Sequence, residues 1–284
     1  MAREGGPPKC LLSKILGEER DRTHPIWYND GMKIVFPELE NSIAKEAIKS
    51  FPSIEFFNAD NLDDAAEMVN NNKVDSMISG LDYSSRDVVL AYKNHLPLES
   101  TYFSSCFIMK RPNDNYYLTL ADCGINKLPD ENQLYTVVED TAKTHLTYYG
   151  EQPKIAMLSY STYGSGGKNP DLEKIYNVIN RIKENHPDWI IDGEMQLDAA
   201  INPEVASKKT PNSPLQGNAN ILIVPDLNSG NILYKSLERF GGFIAAGPII
   251  QGFKKPLADL SRGSTIEDVV LTIEVIKTLL ERNK

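Results

Sequence analysis

The sequence predicts an α/β fold in which short, mostly parallel strands alternate with helices. Two observations carry this. Short apolar runs rich in β-branched residues recur from Met32 onward, and most are separated by stretches with apolar residues three and four apart. Helix start and stop residues then fall at the borders of those stretches. With 284 residues, 41% hydrophobic and 24% charged, the chain can bury a core in two modest domains or one large one.

Residues 1–31 stand apart from the rest. Gly5-Gly6-Pro7-Pro8 precedes a short helix expected near 10–21, and Asn29-Asp30-Gly31 closes the segment. The apolar run around Leu11, Leu12, Ile15 and Leu16 is broken by Lys14 and followed by Glu18, Glu19 and Arg20. It is too short and too charged for a membrane span or a usual signal peptide. The segment reads as an appended arm, and its amphipathic pattern would suit docking on a partner.

Strands are expected at 32–36, 53–57, 74–79, 103–109, 116–121, 154–160, 189–191, 220–224 and 243–250. Pro112-Asn113-Asp114-Asn115 sits between two of these runs and predicts a hairpin there. Ala44, Ala47 and Ile48 share one helical face. Asp130 and Gln133 form a capping-box pair that opens a helix over 130–149, and Gly150 ends it. Leu172, Ile175, Ile179 and Ile182 stripe a helix over 170–184. At the C-terminus, Ser264 and Glu267 read as a capping box, followed by an apolar stripe of Ile266, Val269, Val270, Ile273, Ile276 and Leu280. Asp268 falls in the first turn, roughly 120–140° from the centre of that stripe, and is expected off the core face.

Composition excludes some classes of partner. The net charge of −9 disfavours nucleic acid and anionic membrane. An anionic ligand would have to be met by local donors. The cysteines are Cys10, Cys106 and Cys123, an odd count without CxxC spacing. Neither a disulfide framework nor a zinc site is expected, and reduced thiols suit a cytoplasmic protein. Cys106 and Cys123 lie in strand-like runs and read as buried structural thiols. His24, His95, His145 and His186 lack metal-ligand spacing and read as solvated or turn residues. No metal site is expected.

Three loops are candidates for chemistry. Ser159 to Gly167 follows a strand and precedes a helix, and Ser161, Thr162, Gly164, Ser165 and Gly166 offer hydroxyls and backbone N–H groups that suit a phosphate. It lacks the spacing of a P-loop, and a plain strand-helix connection has the same composition. Ser79-Gly80 ends another strand, and Arg86 opens the helix after it; ligands bind at such strand ends in parallel sheets, while a simple cap by Ser84 or Ser85 is the plainer reading. The third stretch runs from Gly247 to Gly263 and contains Ser261 and Arg262, with Asp268 close behind. Arg262 offers a planar donor fork, although an ion pair with Asp268 or dipole compensation by Asp268 explains the same residues. Gly193, Glu194 and Asp198 form an acidic group that could line a cleft or start a helix.

Several long segments match one family in order: IVFPE at 34–38, ADCGIN at 121–126, KIAMLSYSTYGSG at 154–166, DGEMQLDAA at 192–200, NILIVPDLNSGNILYK at 220–235 and GPIIQGFKKPLADLSRGS at 247–264. From Met32 on, the chain resembles the phosphate acetyltransferase and phosphate butyryltransferase family. The resemblance implies two α/β domains with a cleft between them, akin to isocitrate and isopropylmalate dehydrogenases. The first domain would comprise about 32–117 plus 250–284, and the second 118–249. It implies a cytoplasmic homodimer that exchanges an acetyl or other short acyl group between phosphate and coenzyme A. CoA would be a substrate, and no other cofactor is implied.

By the same resemblance, Asp268 falls on the base toward the CoA thiol, and Ser261 and Arg262 fall on the pair contacting the acyl phosphate. The loop at 161–166 would border the phosphate. Two positions depart from the family pattern. Leu90 stands where an Arg is usual and Tyr163 where a Lys is common, and Arg86 or Lys168 would have to replace the lost cations. The first domain is also shorter than usual. A non-catalytic CoA-binding module on the same fold is the alternative. A metal-dependent hydroxy-acid dehydrogenase would need acidic metal ligands and substrate-binding arginines, which the sequence does not present.

Overall fold

The computed structural model describes residues 11–16 and 31–283. Its strands are β1 (Met32–Val35), β2 (Ile54–Phe57), β3 (Ser76–Ser79), β4 (Ser104–Arg111), β5 (Tyr116–Ala121), β6 (Lys154–Leu158), β7 (Ile190–Met195), β8 (Ile221–Ile223), β9 (Ile244–Gln251) and β10 (Leu257–Asp259). The helices are α1 (Leu11–Leu16), α2 (Ser42–Ala47), α3 (Leu62–Asn70), α4 (Ser85–His95), α5 (Glu131–Tyr149), α6 (Pro170–Asn185), α7 (Leu197–Ile201), α8 (Pro203–Lys209), α9 (Leu227–Gly241) and α10 (Ile266–Arg282). The strands join one sheet in the order β2-β1-β3-β10-β9-β4-β5-β8-β6-β7.

The expectation of parallel pairing holds in two blocks. β2, β1, β3 and β10 are parallel to one another, as are β5, β8, β6 and β7. Three antiparallel joints, β10–β9, β9–β4 and β4–β5, lie between them, so the two blocks run in opposite directions. The chain therefore leaves β3 and β10 at one edge of the sheet, and leaves β5, β6 and β7 at the other. The β4–β5 hairpin forms at the expected turn. Asp114 accepts from Arg111 Nε at 2.9 Å and Nη2 at 2.6 Å, and the guanidinium lies over Tyr116 and Phe243. β10 was not foreseen. Three residues are too few to show a period, and Leu257-Ala258-Asp259 is a strand because β3 and β9 flank it.

One face of the sheet is covered by α2, α5, α6 and α10, whose apolar sides join a single core. On the other face the core is split. Phe107, Met109, Leu120 and Tyr234 belong to one cluster; Val35, Met77, Val88, Tyr92 and Leu257 belong to another. α5 begins with the expected Asp130–Gln133 capping box and ends on Gly150 at φ +72°, a left-handed position that favours glycine. α1 packs on its own chain: Ile15 is buried and Lys110 Nζ donates to the Leu16 carbonyl at 2.7 Å. The remainder of the expected 10–21 helix, Cys10 and His24 lie outside the described residues.

Three expectations need correction. The α10 capping box is Thr265–Asp268, one residue later than Ser264–Glu267, because Ser264 Oγ is engaged by the Ser261 N–H at 3.1 Å. Asp268 is not off the core face; it is 3% exposed. α2, α5 and β9 pack around α10, so every residue from Asp268 to Ile276 is buried and the stripe geometry does not select a free side. His145 is neither solvated nor in a turn. It lies buried within α5, its Nδ1 is 2.8 Å from Thr119 Oγ1, and burial pushes its pKa down to about 4, so it is neutral. His95 and His186 do lie near helix ends, against Asp63 and Glu139.

Candidate active site

The parallel pairing of β3 with β10 sets Ser79 beside Asp259. The Leu260 N–H then donates to the Ser79 carbonyl at 2.5 Å, so the turns leading to Gly80 and to Ser261 leave the sheet side by side. Gly80 has φ +115°, and a Cβ there would lie 2.4 Å from the Leu260 carbonyl oxygen. Only glycine fits this approach. The buried carboxylate of Glu38 holds the Ser79–Gly80 turn: it accepts from Ser79 Oγ at 2.9 Å, Gly80 N at 2.8 Å and Asp82 N at 3.2 Å. Ser84 caps α4, as its plainer reading anticipated. Arg86 follows, exposed on the first turn, and Leu90 one turn later is 42% exposed.

Beyond β10, Ser261 is partly exposed and its Oγ accepts from Gly263 N at 3.2 Å. Arg262 is exposed. Asp268 is held by three donors: Ala245 N at 2.9 Å, Thr265 N at 2.8 Å and Thr265 Oγ1 at 2.8 Å. Its carboxylate thus closes the N-terminus of α10 and clasps the start of β9. An exposed ion pair between Arg262 and Asp268 does not form, because Asp268 is turned inward.

α9 supplies neighbours that sequence reasoning missed. Arg239 Nη2 donates to the Gly263 carbonyl at 3.0 Å, so a second guanidinium stands at the Ser261–Gly263 loop. Glu238 pairs with Arg239 at 3.1 Å. Burial raises the Glu238 pKa, the charge of Asp268 raises it further, and Arg239 and Lys235 oppose both. Neither residue carries a local motif. Their position depends on α9 crossing β4, β5 and β9, which is a tertiary fact.

The 161–166 loop lies at the other edge of the sheet, and among the described residues no hydrogen bond joins it to the two loops above. An internal carboxylate fills it. Glu194 Oε1 accepts from Ser161 Oγ at 2.6 Å and Gly164 N at 2.8 Å, Gly166 N donates to Ser161 Oγ at 2.8 Å, and Tyr176 Oη donates to Glu194 Oε2. Burial works against the Glu194 charge, but these donors outweigh it and lower its pKa. Ser165 Oγ accepts from Thr162 N, and Thr162 Oγ1 accepts from Gln196 N. Tyr163 donates to Asp192, which also accepts from Ser213 Oγ at 2.5 Å. The acidic group therefore divides: Glu194 is a buried loop anchor, and Asp198 is exposed and pairs with Lys209 at 2.7 Å.

Between the two split core clusters lies Asp122, also missed from sequence. It accepts from Ser105 Oγ, Gly124 N, Ile125 N, Asn126 N and Asn126 Nδ2. Cys123 packs into one cluster and Ile125 against the other, so this turn ties the two halves of that face. Cys106 and Cys123 are buried, and burial raises both thiols, which suits structural roles. A groove of about 910 Å³ lies at the C-terminal end of α10, lined by Asp140, Lys143, Gln251 and Lys254; none of the predicted site residues lines it. Among the described residues no group of three or more His, Cys, Asp or Glu could hold a metal ion, and no helix is long and apolar enough to cross a membrane.

Comparison with known proteins places this chain in a family. A phosphate acetyltransferase from Treponema pallidum is 39% identical over 228 residues, covering 77% of this chain and 67% of that protein. A phosphotransacetylase structure from Streptococcus pyogenes superposes with a TM-score of 0.79 at 30% identity, covering 95% of this chain and 97% of the other. The EutD phosphotransacetylase from Staphylococcus aureus gives 0.73 at 28% identity, covering 95% and 96%. Against three curated relatives the chain spans 67%, 30% and 64% of their length. Residues 41–276 match the family model described as phosphate acetyl/butaryl transferase, and the chain belongs to that family.

Proposed function

We propose that this protein interconverts acetyl phosphate, or another short acyl phosphate, plus CoA with acyl-CoA plus inorganic phosphate. The observation that carries the reading is the Ser261–Asp268 turn of a phosphate acyltransferase family member, braced by Gly80 on one side and Arg239 on the other. Ser261 and Arg262 contact the acyl phosphate, and Arg262 stabilises charge developing on its oxygens. Arg86 and the backbone of Ser79–Gly80 extend the same face. Asp268 receives the thiol proton of CoA. A free thiol near 8.5 and a free aspartate near 3.9 leave full transfer uphill by roughly 6 kcal/mol, so the proton moves together with thiol attack rather than before it.

In this reading CoA is a substrate, no further cofactor takes part, and the protein works as a cytoplasmic homodimer. The two-domain division near residues 117 and 250, with substrates between the halves, belongs to the same proposal. The loop at 161–166 leaves the sheet at the edge opposite Ser261, and Glu194 already takes the Ser161 hydroxyl and the Gly164 N–H, so this loop is not counted among the phosphate contacts. That filled loop also favours a second reading, a CoA-binding module without turnover. Thioester formation from acetyl phosphate and CoA by the purified chain separates the two: saturable turnover supports acyl transfer, and CoA binding by calorimetry without turnover supports the module.

A further inference from the structure

Asp259 ends β10 with 1% exposure, and its carboxyl is pressed against the Gly80 backbone: a Cβ on Gly80 would lie 2.6 Å from its Oδ1. That Oδ1 is sealed from water and has no hydrogen-bond partner. The carboxylate beside it, Glu38, is in the opposite position, with three donors. Two ionised carboxylates in one dry site need donors for both; here Glu38 has three, whereas Asp259 has only the Ser85 hydroxyl and its Oδ1 has none.

We propose that Asp259 is a positioning residue for acyl transfer, held as an uncharged carboxylic acid at the joint where the Ser79–Gly80 and Leu260–Ser261 turns meet. Its catalytic consequence rests on the acyl-transfer reading above; its protonation state does not. Burial pushes the Asp259 carboxyl up to about 7, the Ser85 hydroxyl opposes this, and the charge of Glu38 adds to it. The groups from the surrounding elements are Glu38 after β1, Ser79 on β3, and Ser85 and Tyr92 on α4. Tyr92 donates to the Ala258 carbonyl at 2.8 Å, and its own phenol is raised by burial, then by Asp259 and Glu38. β9 presents apolar Ile249 and Ile250 to this strand. α10 brings Asp268 to the same region, bonded to Ala245 and Thr265 rather than to Asp259.

Ionisation of Asp259 sets a second negative charge beside Glu38 at a contact too tight to admit a counter-ion. The two turns separate, and Ser261 and Arg262, two and three residues further on, lose their setting. The sign of the pH dependence follows. The folded state binds this proton more tightly than an unfolded aspartate near 3.9 does, so stability falls as pH rises from about 4 through about 7.

The test is Asp259→Asn, which keeps the shape and cannot ionise, together with Asp259→Ala. The expected result is that Asp259→Asn turns over within ~3-fold of the unmutated protein near pH 6 and keeps its kcat near pH 8.5, where the unmutated protein has dropped ~10-fold. KM stays unchanged, and Asp259→Ala loses ~10-fold or more in kcat at every pH. Carbon-13 carboxyl spectra of the unmutated protein, aspartate-labelled, show one resonance that titrates near neutrality and is missing in Asp259→Asn. The proposal is overturned if that resonance titrates near 4, the usual aspartate range. It is equally overturned if both pH–kcat profiles superimpose, or if Asp259→Ala retains full kcat. Should the unmutated protein transfer no acyl group, the acyl-transfer reading fails separately, and the carboxyl titration still decides whether Asp259 holds its proton.

Discussion

Replacing Asp268 by Asn separates chemistry from architecture at the residue proposed to take the thiol proton. The carboxylate is 3% exposed and accepts from Ala245 N on one side and from Thr265 N and Oγ1 on the other. An amide offers one acceptor oxygen, so either Ala245 or the Thr265 pair must face an NH2 group. Losing a hydrogen bond to a charged group costs about 1.5–3 kcal/mol, and removing a negative charge from a helix N-terminus about 0.3–1 more. The variant is therefore expected to lose about 2–4 kcal/mol of stability and roughly 5–15 °C in Tm. Its kcat should fall by a factor on the order of 10²–10⁴, the usual range for a general base. Urea unfolding gives the first number. Steady-state thioester formation, at a temperature where circular dichroism shows the variant folded, gives the second. Thr265→Val is the control: it removes a cap worth about 1 kcal/mol while leaving the carboxylate in place, and it should keep most of its kcat. Near-normal turnover by folded Asp268→Asn would remove Asp268 from the chemistry and leave it a helix cap.

Arg262→Lys is expected to cut kcat ~10-fold or more, because a lysine lacks the planar fork; full activity would show that a point charge suffices. Arg239→Ala removes the tie to the Gly263 carbonyl and should lower kcat/KM for acetyl phosphate roughly 10-fold, so an unchanged value would detach α9 from the site. Gly80→Ala drives a methyl into the Leu260 carbonyl at 2.4 Å and a φ of +115°, and is expected to destabilise by more than about 3 kcal/mol; a normal urea midpoint would contradict the close approach of the two turns. Glu194→Ala withdraws the acceptor shared by Ser161 and Gly164, and hydrogen exchange at 161–167 should quicken by ~10-fold or more. Unaltered protection there would mean that the loop holds itself.

The parts of the fold that were legible are those set by local physics. Asp130, Gln133 and Gly150 bound α5 because caps and left-handed stops depend on a few neighbouring atoms. The Pro112–Asn115 turn between two β-rich runs was enough for the hairpin. What escaped depends on distant chain. β10 is a strand through its partners rather than its own pattern. Asp268 is buried because α2 and α5 close over a helix whose stripe looked one-sided. The Ser-rich loop has the composition of an anion site, but its occupant is Glu194, which enters from the end of β7. Ser261, Arg262 and Asp268 enter the proposed site through family segments, whereas Arg239 and Asp259 enter it only through the three-dimensional meeting of α9, β3 and β10.

The central claim is catalysis, and thioester absorbance from acetyl phosphate and CoA measures it most directly. The purified full chain is expected to turn over with saturation in both substrates, and to run backward when acetyl-CoA and phosphate are supplied. Absence of turnover in both directions, with CoA nonetheless bound in calorimetry, would contradict the acyltransferase account and leave a CoA-binding module in its place.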